Sequence, residues 1–290
     1  MDSNLFKDKN IIVFGASGYV GNSLKNKILN KLNCTFVSRN SSKDLKINIC
    51  NRNDYEKLSI NSKTILILLV AISSPDLCTN KYDDSFLINV DSTANLIDYT
   101  LSKNGKVIFF SSDVVYGDQD VIFNEESNCN PIGAYGKMKR EIEEKYINNK
   151  NVKIIRPSYI YSSHDKFSKY LFSCAEESKK AIIFHPLYRH IVYLGDVLEG
   201  IIKLIEIWDS FEFNLINFGG EDLLSRKDIA LVYKNELINS LEFEIEKPPV
   251  NFYQSRPISI RIDSSRFETL LGRKPFLLRD IVQKSNYINL

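Results

Sequence analysis

Tyr135 and Lys139 stand four residues apart in the run Tyr135-Gly136-Lys137-Met138-Lys139. On a helix that spacing puts both side chains over one site. An ammonium beside a phenol favours phenolate and lowers the tyrosine pKa. The expected chemistry is a tyrosine that gives a proton to a carbonyl oxygen or takes one from an alcohol. Ser112 follows the apolar run 107–110 and is placed to hold the same oxygen by a hydrogen bond. A second constellation is Gly15, Gly18 and Gly21, a GxxGxxG spacing directly after Ile11-Ile12-Val13-Phe14. Gly15 permits a tight turn, Gly18 lets backbone approach a pyrophosphate, and Gly21 lets a helix pack closely on a strand. The helix that follows offers unpaired N–H groups to phosphates. Gly15, Ser17, Gly18, Tyr19, Val20 and Gly21 are therefore the candidate dinucleotide contacts.

These residues need a scaffold that gathers them. Short apolar runs at 11–14, 35–37, 64–69, 107–110 and 152–155 read as buried strands. Helical patterns lie between them, after Gly21 as far as residue 32, and over 85–101 and 134–149. Strands this apolar suit a parallel sheet covered on both faces. The expected fold is α/β, a Rossmann-type doubly wound parallel sheet with a smaller C-terminal substrate-binding region. Residues 1–160 form mainly the dinucleotide-binding part. Residues 161–290 form mainly the smaller region, with some segments returning to the main sheet. There, helices are expected over 165–178 and 194–208, and strands at 181–184 and 213–216. Ser225 and Asp228 fit a capping box, and Gly272 fits the stop of a helix over 264–271. A last helix is expected over 276–282, and residues 77–84 read as a loop near the cleft.

The residues after the second strand are Ser38-Arg39-Asn40, with no acid. An acid there would accept bonds from the adenosine ribose and repel a 2′-phosphate. Arg39 can pair bidentately with such a phosphate and Ser38 can donate to it, so NADP(H) is preferred, with NAD(H) the other option.

Composition narrows the rest. Lys plus Arg is 38 and Asp plus Glu is 36, a net charge of +2 that shows no concentrated basic face for nucleic acid. The longest apolar run, 65–72, is too short to span a bilayer, and the first residues carry no export signal. Five cysteines without a CxxC pair read as reduced thiols in the cytoplasm, and the three histidines show no zinc-ligand pattern.

With these residues in place, the chain resembles the extended short-chain dehydrogenase/reductases that act on nucleotide-activated sugars. The matching segments are GASGYVG at 15–21, SSDVVYGD at 111–118 and YGKMK at 135–139. The resemblance implies a hydrogen-bonding role for Ser112, proton transfer by Tyr135 and ribose binding by Lys139. It implies adenine contacts at Asn48 and Ile49, with Asn48 replacing a frequent Asp. It implies that Asn89 orders the catalytic helix or a water, and that Arg156-Pro157-Ser158 closes over the nicotinamide. Asp113, Arg189 and Arg256 are the candidate substrate contacts. His190 and Arg261 fall near the same segments, where packing and solvation are the plainer readings. Sugar-nucleotide dehydratases usually follow the Asp113 equivalent with Glu, but Val114 stands here. NFGGEDLLSRKDIA at 217–230 and SRPISIRIDSSRFETLLG at 255–272 are similar to the dTDP-4-dehydrorhamnose reductase group. The resemblance thus implies an NAD(P)H-dependent 4-ketoreductase of a nucleotide-diphosphate 4-keto-(6-deoxy)sugar, serving polysaccharide biosynthesis. A nucleotide-sugar epimerase or dehydrogenase with tightly bound NAD is the alternative. A homodimer is compatible with either.

Overall fold

Alternate residues of a covered parallel strand must face opposite helical layers, and the apolar runs do so. A computed structural model describes residues 8–28 and 33–284. Its main sheet has seven strands: β1 (Asn10–Phe14), β2 (Cys34–Ser38), β3 (Leu45–Lys46), β4 (Thr64–Leu68), β5 (Lys106–Phe110), β6 (Val152–Pro157) and β7 (Leu215–Phe218). They lie in the order β7-β6-β5-β4-β1-β2-β3, every pair parallel. The order in which strands are added reverses between β1 and β4, and ligands of such sheets bind beyond the carboxyl ends at that switch.

Ile11, Val13, Ile65, Ile67 and Ile108 face one layer, against α1 (Tyr19–Ile28) and the long apolar helix Leu194–Glu206. Ile12, Phe14, Leu66, Leu68, Val107 and Phe109 face the other, against α2 (Thr93–Ser102) and α3 (Ala134–Tyr146). This is the expected doubly wound fold. Helix α1 runs to Ile28, and the rest of the expected stretch, 29–32, lies outside the described residues.

Three expectations need correction. The strand expected at 213–216 is Leu215–Phe218, and it pairs with β6 as the seventh strand of the main sheet. Residues 77–84 are not a loop. They belong to two short helices, Pro75–Asn80 and Tyr82–Phe86. Ser74 Oγ accepts from Leu77 N and Pro75 sits at the first turn, a helix start that the segment's polarity disguised. The single helix expected over 85–101 is interrupted by a wide π turn, Leu87–Ser92, before α2 begins. Such bulges frequently mark functional positions, and this one carries Asn89.

Chain leaving β6 and β7 builds most of the smaller region, and the segment between β5 and α3 adds the strand Ile122–Phe123. It contains a four-stranded sheet of Leu223–Ser225, Tyr188–His190, Ser259–Ile262 and Ile122–Phe123, and a parallel pair of Ala181–Phe184 with Phe243–Glu246. The Ser225–Asp228 capping box forms, and Gly272 ends its helix at φ +68°.

Candidate active site

The glycine turn is held by close backbone approaches. Gly15 has φ +96°, and a Cβ there would lie 2.9 Å from Val70 N. A Cβ on Gly21 would lie 2.3 Å from Gly15 O, so helix and turn touch without room for a side chain. Gly18 differs: its added Cβ would meet only Gly15 O, at 3.3 Å. The rest of that side is open, which fits a glycine needed for a ligand's approach. The first turn of α1 holds no acid, so no carboxylate of its own opposes an anion there. Ser17 and Gly18 are exposed at the turn, and Val20 is half-buried behind it. Tyr19 points into the smaller region, where its hydroxyl donates to Ser162 Oγ at 2.7 Å. A pyrophosphate would meet the backbone of this turn, and a nicotinamide dinucleotide fits it.

Beyond β2, Arg39 is exposed and has no partner among the described residues. Ser38 is buried, and its Oγ accepts from Ser41 N at 3.1 Å, so the hydroxyl is spent inside the loop. Sequence reading saw no acid here, yet Asp44 folds back beside Ser38 and pairs with Lys25 of α1. Ile49 is buried, and its carbonyl accepts from Tyr55 Oη at 2.5 Å. Asn48 is exposed, and its Oδ1 accepts from Cys50 N at 3.2 Å.

Tyr135 opens α3, and Lys139 follows one turn later, with Nζ donating to Phe110 O at 2.6 Å. That bond ties α3 to the end of β5, two residues before Ser112. Burial pulls Lys139 down to about 8, with Glu143 and Cys78 opposing. Burial pushes the Tyr135 phenol up, and Cys78 and Asp113 push the same way. The expected depression by Lys139 is therefore not what the protein side chains alone produce. The ammonium lies 5.8 Å from the Tyr135 ring centroid and is turned to Phe110 O.

Ser112 is extended and caps a short 3₁₀ turn, Asp113–Tyr116. Its hydroxyl lies 3.3 Å from Asp113 Oδ1 and accepts from Val114 N at 3.4 Å, both long enough to yield to a substrate oxygen. Asp113 is buried, takes a 2.8 Å bond from Ser158 Oγ, and lies 3.6 Å from Arg189 Nε. Burial raises its carboxyl, with Arg189 and the two serines opposing. Arg189 also donates to Tyr188 O at 2.6 Å and Pro257 O at 2.9 Å. The structure thus brings Asp113 and Arg189 together as partners of each other. Arg256 instead reaches Asp76 Oδ2 at 2.7 Å and lies over Phe252, bridging the helix Pro75–Asn80 to the smaller region.

Several positions turn out to be scaffolding. Asn89 Oδ1 accepts from Ile72 N at 2.8 Å, while its Nδ2 donates to Ile72 O at 2.9 Å and reaches Met138 Sδ at 3.6 Å. It orders the segment after β4 against α3. Arg156 is buried and grips Glu143 at 2.9 and 2.7 Å, so its guanidinium braces α3 rather than covering a cofactor. His190 Nδ1 lies 3.0 Å from Gly220 O, and Arg261 pairs with exposed Asp120 at 2.6 Å. Glu143 and Cys78 were not singled out from sequence. Glu143 could have been, since it stands four residues beyond Lys139 on the same helix face. Cys78, whose Sγ lies 3.1 Å from Ile72 O, carried no such signal. A separate cavity of about 660 Å³ is lined by Glu125, Arg140, Arg156, Phe213 and Arg266 among others, and Ser112, Tyr135 and Lys139 are not in its lining.

Comparison with known proteins fits this geometry. The bovine (Bos taurus) methionine adenosyltransferase 2 subunit beta is 25% identical, over 93% of this chain and 85% of that protein. The N-acetyl-alpha-D-glucosaminyl-diphospho-ditrans,octacis-undecaprenol 4-epimerase of Escherichia coli O157:H7 is 24% identical, over 87% of this chain and 77% of that protein. A hypothetical dTDP-4-dehydrorhamnose reductase from Sulfolobus tokodaii shares the fold with a TM-score of 0.81 at 22% identity, covering 93% of this chain and 97% of that one. So does RMD from Pseudomonas aeruginosa complexed with NADPH, with a TM-score of 0.78, 15% identity, and 98% and 99% coverage. MoeE5 in complex with UDP-glucuronic acid and NAD gives 0.78 at 16% identity, with 92% and 94% coverage. Residues 9–275 match the family described as RmlD substrate binding domain, and the chain belongs to that family, within the extended short-chain dehydrogenase/reductases.

Proposed function

We propose that the protein is an NADP(H)-preferring reductase of a nucleotide-diphosphate 4-keto-(6-deoxy)sugar. The observation that carries this reading is the phenol of Tyr135, held protonated by burial, on one helix with Lys139 and near the end of β5 that carries Ser112. A phenol that keeps its proton suits a donor to an alkoxide developing on a ketone oxygen. Ser112 Oγ would hold the same oxygen, and Lys139 would hold the nicotinamide ribose. The backbone of 15–21 would take the pyrophosphate, and Asn48 and Ile49 the adenine. NAD(P)H, when bound, supplies the hydride. Val114, where dehydratases have Glu, removes the acid/base group that would follow Asp113 in the chain for eliminating water.

The name of the bovine relative makes it a subunit of another enzyme. The reading of this chain as catalytic rests on its having Ser112, Tyr135 and Lys139 together. The name of the E. coli relative supports the second reading, an epimerase that retains NAD. The cofactor preference rests on exposed Arg39, which has no partner among the described residues, and all five cysteines being free supports a reducing cytoplasm. Activated sugars of this class would serve polysaccharide biosynthesis. The test of the cofactor reading is a titration with NADPH and NADH by fluorescence. Arg39→Ala should weaken NADPH at least ~10-fold more than NADH, since a charge-assisted phosphate contact is lost. Equal losses would show that Arg39 does not discriminate.

A further inference from the structure

Six residues, 39–44, connect the end of β2 to β3, which returns parallel with Val37 beside Leu45 and Ser38 beside Lys46. The connection is stitched from inside. Ser41 N donates to Ser38 Oγ at 3.1 Å, and Lys43 N donates to Ser41 Oγ at 3.2 Å. Asp44 closes the stitch. Its carboxylate pairs with Lys25 and is hydrogen-bonded by the Ser38 and Ser41 side chains. The Asp44 side chain is 3% exposed and that of Lys25 17%, so the pair is sheltered from solvent. Lys25 Nζ also lies 5.2 Å from the centroid of the Phe36 ring, which fixes the lysine stem against β2. Arg39, at the outer end of the same connection, has no partner among the described residues.

A carboxylate next to the end of β2 would by itself oppose a 2′-phosphate and invite ribose hydroxyls. Here it is turned inward and neutralised by a cation from α1. We infer that Lys25 and Asp44 together are positioning residues for cofactor choice: Lys25 sequesters the one acid of this connection, so that its exposed cations, Arg39 and Lys43, set the charge met by the adenosine end of the cofactor. The inference rests on the NADP(H) reading for its biological direction, but its readout is a change in the ratio of two affinities. Neither residue needs to touch the cofactor. Removing Lys25 while keeping Asp44 leaves a carboxylate uncompensated close to the phosphate position, where it repels NADPH but not NADH. Removing both removes the repulsion.

The experiment is a double-mutant cycle. Dissociation constants for NADPH and NADH are measured by fluorescence at one fixed ionic strength for the wild type, Lys25→Met, Asp44→Asn and the double variant. Lys25→Met should lower the NADPH/NADH preference about tenfold, the size expected for a newly unpaired charge nearby. The double variant should return to within about twofold of the wild-type ratio, because coupled neighbours do not add. Asp44→Asn alone should hold or raise the preference for NADPH. If Lys25→Met does not fold, Asp44→Asn decides, and a selective loss of NADPH binding in Asp44→Asn overturns the inference. Equal weakening of both cofactors in Lys25→Met, or a double variant that stays low, also overturns it. A wild type that prefers NADH refutes the NADP(H) reading instead, and the ratio change in Lys25→Met still tests the pair.

Discussion

Replacing Lys139 by Met removes a buried ammonium, and its effect on stability should depend on pH in a defined way. Lys139 is 3% exposed, and burial brings it to about 8 from an ordinary 10.5. At about 1.4 kcal/mol per tenfold, that gap makes the protonated side chain about 3 kcal/mol less favourable in the fold than in the unfolded chain. Below pH 8 both states hold the proton and the whole penalty is present. Between pH 8 and 10.5 the folded protein releases the proton while the unfolded chain still holds it, so the wild type gains stability as pH rises. Met carries no such term, though it leaves Phe110 O without its donor, a loss of about 1–3 kcal/mol. At pH 7 the two effects oppose, and the variant should lie within about 2 kcal/mol of the wild type. At pH 10 the wild type should have gained about 2–3 kcal/mol relative to the variant. Urea unfolding of both proteins at the two pH values, without added cofactor, measures this, because other titrating groups cancel in the difference. A difference that is flat with pH, or that moves the other way, would refute the buried-ammonium argument.

The same group should shape activity: kcat/KM should fall as pH rises through about 8, when Lys139 loses its charge, and a profile flat to pH 9.5 would contradict this. Glu143→Ala strips Arg156 of its bidentate partner and should destabilise the protein by about 3–5 kcal/mol in urea unfolding. A change under 1 kcal/mol would show that the pair does not brace the helix. Gly21→Ala drives a Cβ to 2.3 Å from Gly15 O, so it should cost about 1–3 kcal/mol and weaken both cofactors together, unlike Arg39→Ala. Unchanged binding of both would remove the glycine turn from the account.

The parallel sheet was legible because its strands are buried on both faces and so read as apolar runs. The glycine turn was legible because Gly15 and Gly21 answer a local steric need, seen in their Cβ approaches. What escaped notice depended on contacts between distant segments. Leu215–Phe218 is too short for sequence to say which sheet it joins, and only its pairing with β6 decides. Asp44 lies six residues past Ser38, outside the window in which a ribose-binding acid is sought, and the loop folds it back. Glu143 lay in plain register with Lys139, but its partner Arg156 comes from β6. Arg189 and Asp113 were each assigned to substrate from the family resemblance, which does not say what they touch, and the fold pairs them.

In the proposed reaction Tyr135 delivers a proton to a ketone oxygen on a nucleotide-linked sugar while hydride arrives at the carbon of the same carbonyl. The most direct measurement incubates wild type and Tyr135→Phe with NADPH and a panel of nucleotide-linked 4-ketosugars, following NADPH oxidation and resolving products by mass and NMR. The expected product is heavier by two hydrogens and forms in step with NADPH oxidation, and turnover should fall ~10²–10⁴-fold in Tyr135→Phe with NADPH binding kept. A product of unchanged mass formed without net NADPH consumption, or full turnover in Tyr135→Phe, would contradict it.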